Sequence, residues 1–141
     1  MDKYDSFRTL KQSETGFDIE LHDRGSNITI LAPHGGKIEP HTSEIARLIA
    51  GSTYNCFCFN GLKQASNRDL HITSHHYDEE NALAIVCRST TVVAVHGCTE
   101  QTPMVYLGGL DNAMKQKIAE NLIISVGTVK GHVSNILSKL H

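Results

Sequence analysis

The sequence of 141 residues has no tryptophan, only three prolines and four cysteines. Those cysteines are Cys56, Cys58, Cys87 and Cys98, and none form a Cys-x-x-Cys pair. A zinc finger or thioredoxin-type motif is therefore unsupported, and free thiols in a reducing, cytoplasmic compartment are expected. No run approaches the ~20 apolar residues that a membrane span needs. The opening MDKYDSFRTLKQSETGFDIE lacks an apolar core region, so neither a signal peptide nor a membrane partner is expected. A formal charge of −2 and a pI near 6.5 exclude a chain that is basic throughout, while a local basic patch for nucleic acid stays open. Repeats and low-complexity runs are also missing. What remains is a globular balance, 40% hydrophobic and 20% charged, with nine histidines as its unusual feature. At roughly 150 residues per domain the length allows one domain, or one and a fragment, and suffices to bury a core.

Periodicity gives a coarse architecture. Residues 1–17 are polar and read as a loop or loose first helix. Asn27 to Ala32 is a buried, β-branched strand ending at the turn signal Pro33-His34-Gly35-Gly36. Thr42 or Ser43 is placed to cap a helix whose Ile45, Leu48 and Ile49 share a face, with Gly51 ending it. Tyr54 to Phe59 alternates as a second strand, with Cys56 and Cys58 on one face. A polar loop follows, then a β-like stretch from Leu70 to Ser74. Asp78 and the glutamates after it open a helix with Leu83, Ile85 and Val86 on its apolar side and Cys87 as a small buried residue. Thr91 to Val95 is a third buried strand, ending at His96-Gly97. Strand, helix, strand, helix, strand predicts an α/β layered sheet, at least partly parallel. From Asp111 onward the pattern is helical.

Two histidines follow the carboxyl ends of apolar strands, His34 and His96. In open α/β sheets that edge is where ligands bind. Glu39 lies five residues after His34, across a Gly-Gly turn that folds the chain back. Two imidazoles and a carboxylate suit a catalytic zinc with one position left for water, which lowers the pKa of that water and polarises a carbonyl. A glycine-flanked histidine taken singly is more often an ordinary loop residue; the pair with a glutamate on one turn puts the metal reading ahead. The stretch from Leu70 to Glu79 holds His71, His75 and His76, as outer contacts to the centre, as substrate contacts, or as a solvated loop. His71 beside Ile72 also fits plain strand patterning.

PHGGKIEPHTSEIA, SNRDLHITSHHYDE, VVAVHG and VYLGGLD, in that order, resemble the poly-γ-glutamate hydrolase family of phages and bacilli, from about Gly16 to about Leu122. The resemblance implies a zinc carboxypeptidase-like α/β fold, a mixed sheet flanked by helices, that cleaves γ-linked glutamate polymers. It implies zinc held by His34, Glu39 and His96, with Arg68 and His76 near the substrate cleft; an arginine suits a carboxylate-rich polymer. The family continues into an arginine-containing loop and an apolar strand carrying a glutamate thought to be the general base. Here no arginine follows Arg88, and the acids after His96 are Glu100, Asp111 and Glu120, none in an apolar strand. Glu100, after the His96 turn, is the candidate base. The expectation is metal binding with hydrolysis impaired or absent, and a sheet with an exposed edge.

Lys115 to His141 has its own pattern. Ile118, Ala119 and Leu122 form one face, Ser125 is a fair N-cap, and Val129, Val133, Ile136, Leu137 and Leu140 recur at helical spacing. A bland helical hairpin fits that periodicity. IAENLIISVGTVKGHVSNILSKL, however, resembles the LuxR-type helix-turn-helix of bacterial response regulators. That resemblance implies Thr128, Val129, Lys130 and His132 as DNA contacts, with Asn135 and Lys139 weaker, and lysine to phosphate as the sequence-independent part. The sequence thus predicts two incomplete pieces: a truncated hydrolase-like domain over 1–114 and a helix-turn-helix fragment over 115–141, joined as a fused or truncated reading frame.

Overall fold

The computed structural model describes residues 2–99 and 104–121. Two compact units, residues 1–98 and 99–141, are described separately. The first contains helix α1 (Phe7–Ser13), strands β1 (Phe17–His22) and β2 (Ile28–Gly36), helix α2 (Thr42–Ala50), strand β3 (Asn55–Gly61), helix α3 (Glu80–Cys87) and strand β4 (Thr91–Ala94). The described part of the second contains helix α4 (Asn112–Asn121), whose first turn is closed by Asp111 Oδ1 accepting the Met114 N–H at 2.8 Å.

The four strands form one mixed sheet in the order β1-β3-β2-β4. β2 runs parallel to both β3 and β4, and β1 pairs antiparallel with β3. The predicted α/β layering is therefore present. β1 has no counterpart in the periodicity reading, because FDIELH is only half-buried at an edge and its apolar signal is correspondingly diluted. β4 is half-buried rather than buried, since among the described residues it is the other edge of the sheet.

Side chains alternate across the sheet. Ile30, Ala32, Cys56 and Cys58 pack with Ala46 and Ala50 of α2. On the opposite side Phe59 meets Phe7 of α1 at 5.1 Å, Phe17 at 5.3 Å and Tyr77 at 6.3 Å between ring centroids. Asp78 is not part of α3; its Oδ1 accepts the Phe7 and Arg8 N–H groups at 2.6 and 3.2 Å and so closes the start of α1. α3 is capped instead by Glu79, which accepts the Ala82 N–H at 2.7 Å.

Several expected details are reversed. α2 does not bury Ile45, Leu48 and Ile49, which are exposed, Leu48 at 82%. It buries Thr42, Ser43, Ala46 and Ala50. The helix has the expected period but turns the opposite face inward: small side chains let the helix axis approach the sheet, and the larger residues follow on the outer side. Neither Thr42 nor Ser43 caps the helix; His41 holds that position with φ 73°. Gly51 does end it. On α3, Ile85 and Val86 are buried, while Leu83 and Cys87 are exposed. Leu70 to Ser74 shows alternating burial, with Leu70 and Ile72 fully enclosed. Among the described residues it pairs with no strand, and it is bracketed by 3₁₀ turns at Asn67–Leu70 and Ser74–His76.

The expected turn at Pro33–Gly36 is also absent. β2 continues through Gly36, with an irregularity between Ala32, opposite Cys58, and Gly35, opposite Asn60. β2 thus spends one residue more than β3 over this interval, a β-bulge that re-aims the intervening side chains. Pro33 suits it, having no N–H to offer a ladder. Gly35 is required by contact: a Cβ there would lie 1.9 Å from Ser43 Oγ and 2.6 Å from Asn60 Oδ1, the two atoms that hydrogen-bond and fix the start of α2 on the sheet.

Two substitutions separate the faces of α2. Ala46→Leu, on the sheet side, is expected to cost about 1–3 kcal/mol by overpacking. Leu48→Gln, on the exposed side, is expected to change stability by less than about 0.5 kcal/mol. Urea denaturation midpoints check both; a large loss for Leu48→Gln would put the apolar face inward after all.

Candidate metal centre

The bulge in β2 delivers His34, buried, to the carboxyl edge of the sheet. After Gly36, at φ +62°, the chain folds back so that the Glu39 N–H donates to the His34 carbonyl at 2.8 Å. Thr42 Oγ1 donates to the Glu39 carbonyl at 2.8 Å, which ties that turn to α2. His96 follows β4, whose ladder is prolonged by the Val95 N–H donating to Leu31 at 2.8 Å. Because β2 and β4 are parallel, their carboxyl ends share an edge, and His34 and His96 meet there with ring centroids 5.1 Å apart.

Glu39 is the hub. Its Oε1 lies 3.2 Å from His34 Nδ1 and 3.9 Å from His71 Nε2. Its Oε2 lies 3.6 Å from His96 Nδ1 and accepts the Gly97 N–H at 2.8 Å. His71 stacks on His34 at 4.0 Å. Donor atoms of His34, Glu39 and His71 all fall within 4.8 Å of one another. Burial is the largest influence on the Glu39 carboxyl and favours its neutral form. The His34 and His96 imidazoles, when they turn a proton toward the carboxylate, and the Gly97 N–H outweigh it, so the group is held well below the usual carboxylate range.

The decisive atom is His34 Nδ1. His34 Nε2 lies 2.9 Å from the Ile72 carbonyl, which can only accept, so Nε2 carries the proton. When the ring is neutral, Nδ1 then turns a lone pair toward a carboxylate at 3.2 Å, and among the described residues it is buried without a hydrogen bond. Such an orphaned acceptor is costly, and a cation between it and Glu39 converts repulsion into attraction. Imidazole nitrogen with carboxylate oxygen is a donor set that fits zinc.

The residues expected to bind metal, His34, Glu39 and His96, are thus adjacent. His71 joins them, a residue whose sequence context also fitted strand patterning. Arg68 and His76 are both exposed. Arg68 is close enough to His71 to act on its charge, and its carbonyl accepts the His71 N–H at 3.1 Å. Asp2, whose Oδ1 lies 2.7 Å from His71 Nδ1, had no sequence signal at all. Glu100 and the stretch containing Thr128, Val129, Lys130 and His132 lie outside the described residues. Among the described residues no helix is long and apolar enough to cross a membrane.

The family model for poly-gamma-glutamate hydrolase matches residues 4–136. The likeness to a helix-turn-helix therefore sits largely inside the hydrolase match, and no finding supports DNA binding there. The UPF0714 protein YndL of Bacillus subtilis (strain 168) is 37% identical over 123 residues, covering 86% of this chain and 48% of YndL. The SPbeta prophage-derived UPF0714 protein YoqZ of the same organism is also 37% identical, over 86% of this chain and 44% of its own length. The chain thus spans about half the length of these curated relatives. A solved structure of YndL, described as apo and zinc-free, superposes with a TM-score of 0.83 over 87% of this chain and 61% of that one. A bacteriophage poly-gamma-glutamate hydrolase structure, 26% identical, gives 0.85 over 96% of this chain and 72% of its own.

The electrostatics of the centre predict acid lability of the metal-free fold. An ordinary unfolded glutamate titrates near 4.3, and Glu39 is depressed below its ordinary value in the fold. Its contribution is present above about pH 4.3 and lost as pH falls through the folded value. Asp2 is lowered to about 2 despite burial, by Thr73 and His71, and acts in the same direction between about pH 4 and about 2. His71, lowered chiefly by burial and by His34, also makes acid unfavourable, because the unfolded imidazole takes up its proton first. Urea midpoints measured from pH 7 to pH 3 should fall steadily, and Glu39→Gln should flatten the limb below about pH 4.3. An acid limb unchanged by that substitution would contradict the assignment of Glu39 as the hub.

Proposed function

Because the chain belongs to the poly-gamma-glutamate hydrolase family, we propose that its histidine–glutamate cluster is the zinc centre of a hydrolase acting on γ-glutamyl amide bonds. The observation that carries the reading is the buried, unpartnered His34 Nδ1 facing the Glu39 carboxylate at 3.2 Å. The zinc-free description of the YndL structure supports the choice of metal, and the bacteriophage hydrolase structure supports the choice of substrate.

In this reading His34, Glu39 and His96 hold the metal. When bound it would supply Lewis acidity: an activated water and a polarised amide carbonyl. The chain's own residues do the rest. The Ile72 carbonyl keeps the His34 proton on Nε2 and leaves Nδ1 free to donate its lone pair. The Gly97 N–H holds Glu39 in one orientation, and the Glu39 carboxyl is held well below the usual carboxylate range. Arg68, exposed beside His71, receives a side-chain carboxylate of the polymer, for which a guanidinium fork is the matching partner. His76, exposed on the second 3₁₀ turn, offers a further contact. Cleavage also needs a general base within reach of the attacking water; Glu100, the sequence candidate for that role, lies outside the described residues.

Metal analysis of the purified chain tests the centre: about one zinc per chain is expected, and His34→Ala and His96→Ala should lose it. Zinc retained fully in both variants would remove the reading. If γ-glutamyl polymer is cleaved, Arg68→Ala should raise KM by about 10- to 100-fold, the scale of one charge-assisted hydrogen bond, with a smaller change in kcat. An unchanged KM would take Arg68 out of substrate binding.

A further inference from the structure

His71 and Asp2 form an ordered pair beside the metal centre that the three ligands do not use. His71 Nδ1 lies 2.7 Å from Asp2 Oδ1, and both side chains are largely enclosed. The second oxygen of Asp2 accepts the Thr73 N–H at 2.6 Å. A carboxylate has only lone pairs to offer, so the proton between the pair belongs to Nδ1 of His71. In the neutral ring Nε2 is then a bare acceptor. It faces Glu39 Oε1 at 3.9 Å, too far for a hydrogen bond, and that oxygen is an acceptor as well. The lone pair is thus turned to the rim of the centre, with no protein donor on it among the described residues. The ring is kept there by stacking on His34 at 4.0 Å, with 26° between the planes.

The segment that carries His71 is fixed from three sides. Asp2 holds it at His71 and Thr73, the Ile72 carbonyl lies 2.9 Å from His34 Nε2, and Lys3 Nζ reaches Asp69 Oδ2 at 3.0 Å. Arg68 stands on the same segment, in the turn Asn67–Leu70, exposed and with no carboxylate paired to it among the described residues. Its carbonyl accepts the His71 N–H at 3.1 Å, so the two backbones keep a set relation. A bare acceptor beside an unpaired guanidinium suits a ligand that presents an N–H and a carboxylate close together. In a γ-linked glutamate polymer both sit on one carbon, because the α-carbon carries the amide nitrogen and the free carboxylate. In the α-linked polymer two methylenes separate the free carboxylate from that carbon.

We propose that His71, held by Asp2 as its Nδ1–H tautomer, accepts a substrate amide N–H at Nε2 while Arg68 takes the carboxylate of the same residue, and that this pair selects γ-linked over α-linked glutamate. His71 touches substrate and adds no ligand to the metal; Asp2 is a positioning residue that acts through it. The inference rests on reading the centre as that of a γ-glutamyl hydrolase. It makes the N-terminal segment part of the site, since the residue that aims His71 lies ahead of α1.

The tautomer is read first, in the metal-free chain, from imidazole ¹⁵N shifts. His71 is expected as the Nδ1–H form in the parent and as a mixture in Asp2→Asn; a predominantly Nε2–H form in the parent overturns the proposal, whether or not any variant folds. Binding of γ-linked and of α-linked triglutamate to the zinc-loaded chain is then measured by calorimetry. The parent should bind the γ-linked peptide at least about 10-fold more tightly, the scale of one hydrogen bond made or left unmade. Equal binding of the two peptides, or none of the γ-linked one, overturns the proposal. His71→Phe keeps a flat ring on His34 and removes the acceptor. Once circular dichroism shows that it folds, it should lose most of the preference for the γ-linkage and keep the parent's zinc affinity in chelator competition. Asp2→Asn should lose part of the preference, and Asp2→Glu, which restores a carboxylate, should recover it. If His71→Phe keeps the preference while His34→Ala loses zinc, the substrate contact is wrong and the hydrolase reading stands. If His71→Phe loses zinc, His71 is a metal ligand and the proposal falls. If the parent binds no zinc, both readings fall.

Discussion

The site depends on a single buried contact, the approach of His34 Nδ1 to Glu39 Oε1 at 3.2 Å with no hydrogen bond between them. The Ile72 carbonyl compels that arrangement by taking the only proton a neutral His34 can donate. A carboxylate so enclosed would ordinarily prefer to be neutral. It is held ionised by the Gly97 N–H and by the facing histidines when they turn protons toward it, and its position is over-determined by the surrounding structure. Here that over-determination has named parts: the bulge in β2, the fold-back from Gly36 to Glu39, and the Ser43–Asn60 bond that pins α2 over Gly35.

The sheet supplies the convergence. With β2 central and parallel to both neighbours, the carboxyl ends of β2 and β4 open on the same edge, the edge at which open α/β sheets place their ligands. Parallel pairing requires a crossover, and α2 provides it between β2 and β3. α2 can lie close to the sheet because its inward residues are small, Ser43, Ala46 and Ala50. That close approach brings Ser43 to Asn60 and makes any side chain at position 35 impossible without movement. Packing and site geometry are therefore the same constraint seen from two sides.

Much of this was legible in the residues. The apolar runs at 27–32, 54–59 and 91–95 mark three of the strands, and the histidines that follow two of them, with Glu39 on the intervening turn, mark the centre. Gly51 as a helix end was legible too. The misreadings have physical causes. An amphipathic period states that a helix has two faces, but which face is covered depends on how close the sheet lies; α2 turns its alanines inward and leaves Leu48 out. Pro33-His34-Gly35-Gly36 has the composition of a turn, yet a neighbouring strand can hold the same residues in a bulge. β1 carries too little apolar signal to stand out, because among the described residues it is an edge that one partner alone secures.

The sequence by itself determined the local periods, the strand ends and the presence of nitrogen and oxygen donors near them, since these follow from the chemistry of neighbouring residues. The tertiary structure alone decided which donors meet. His71 comes to Glu39 from an unpaired segment, and Asp2 comes to His71 from 69 positions away. No local rule of spacing reaches that far, because contact at such separation is set by how the whole chain packs.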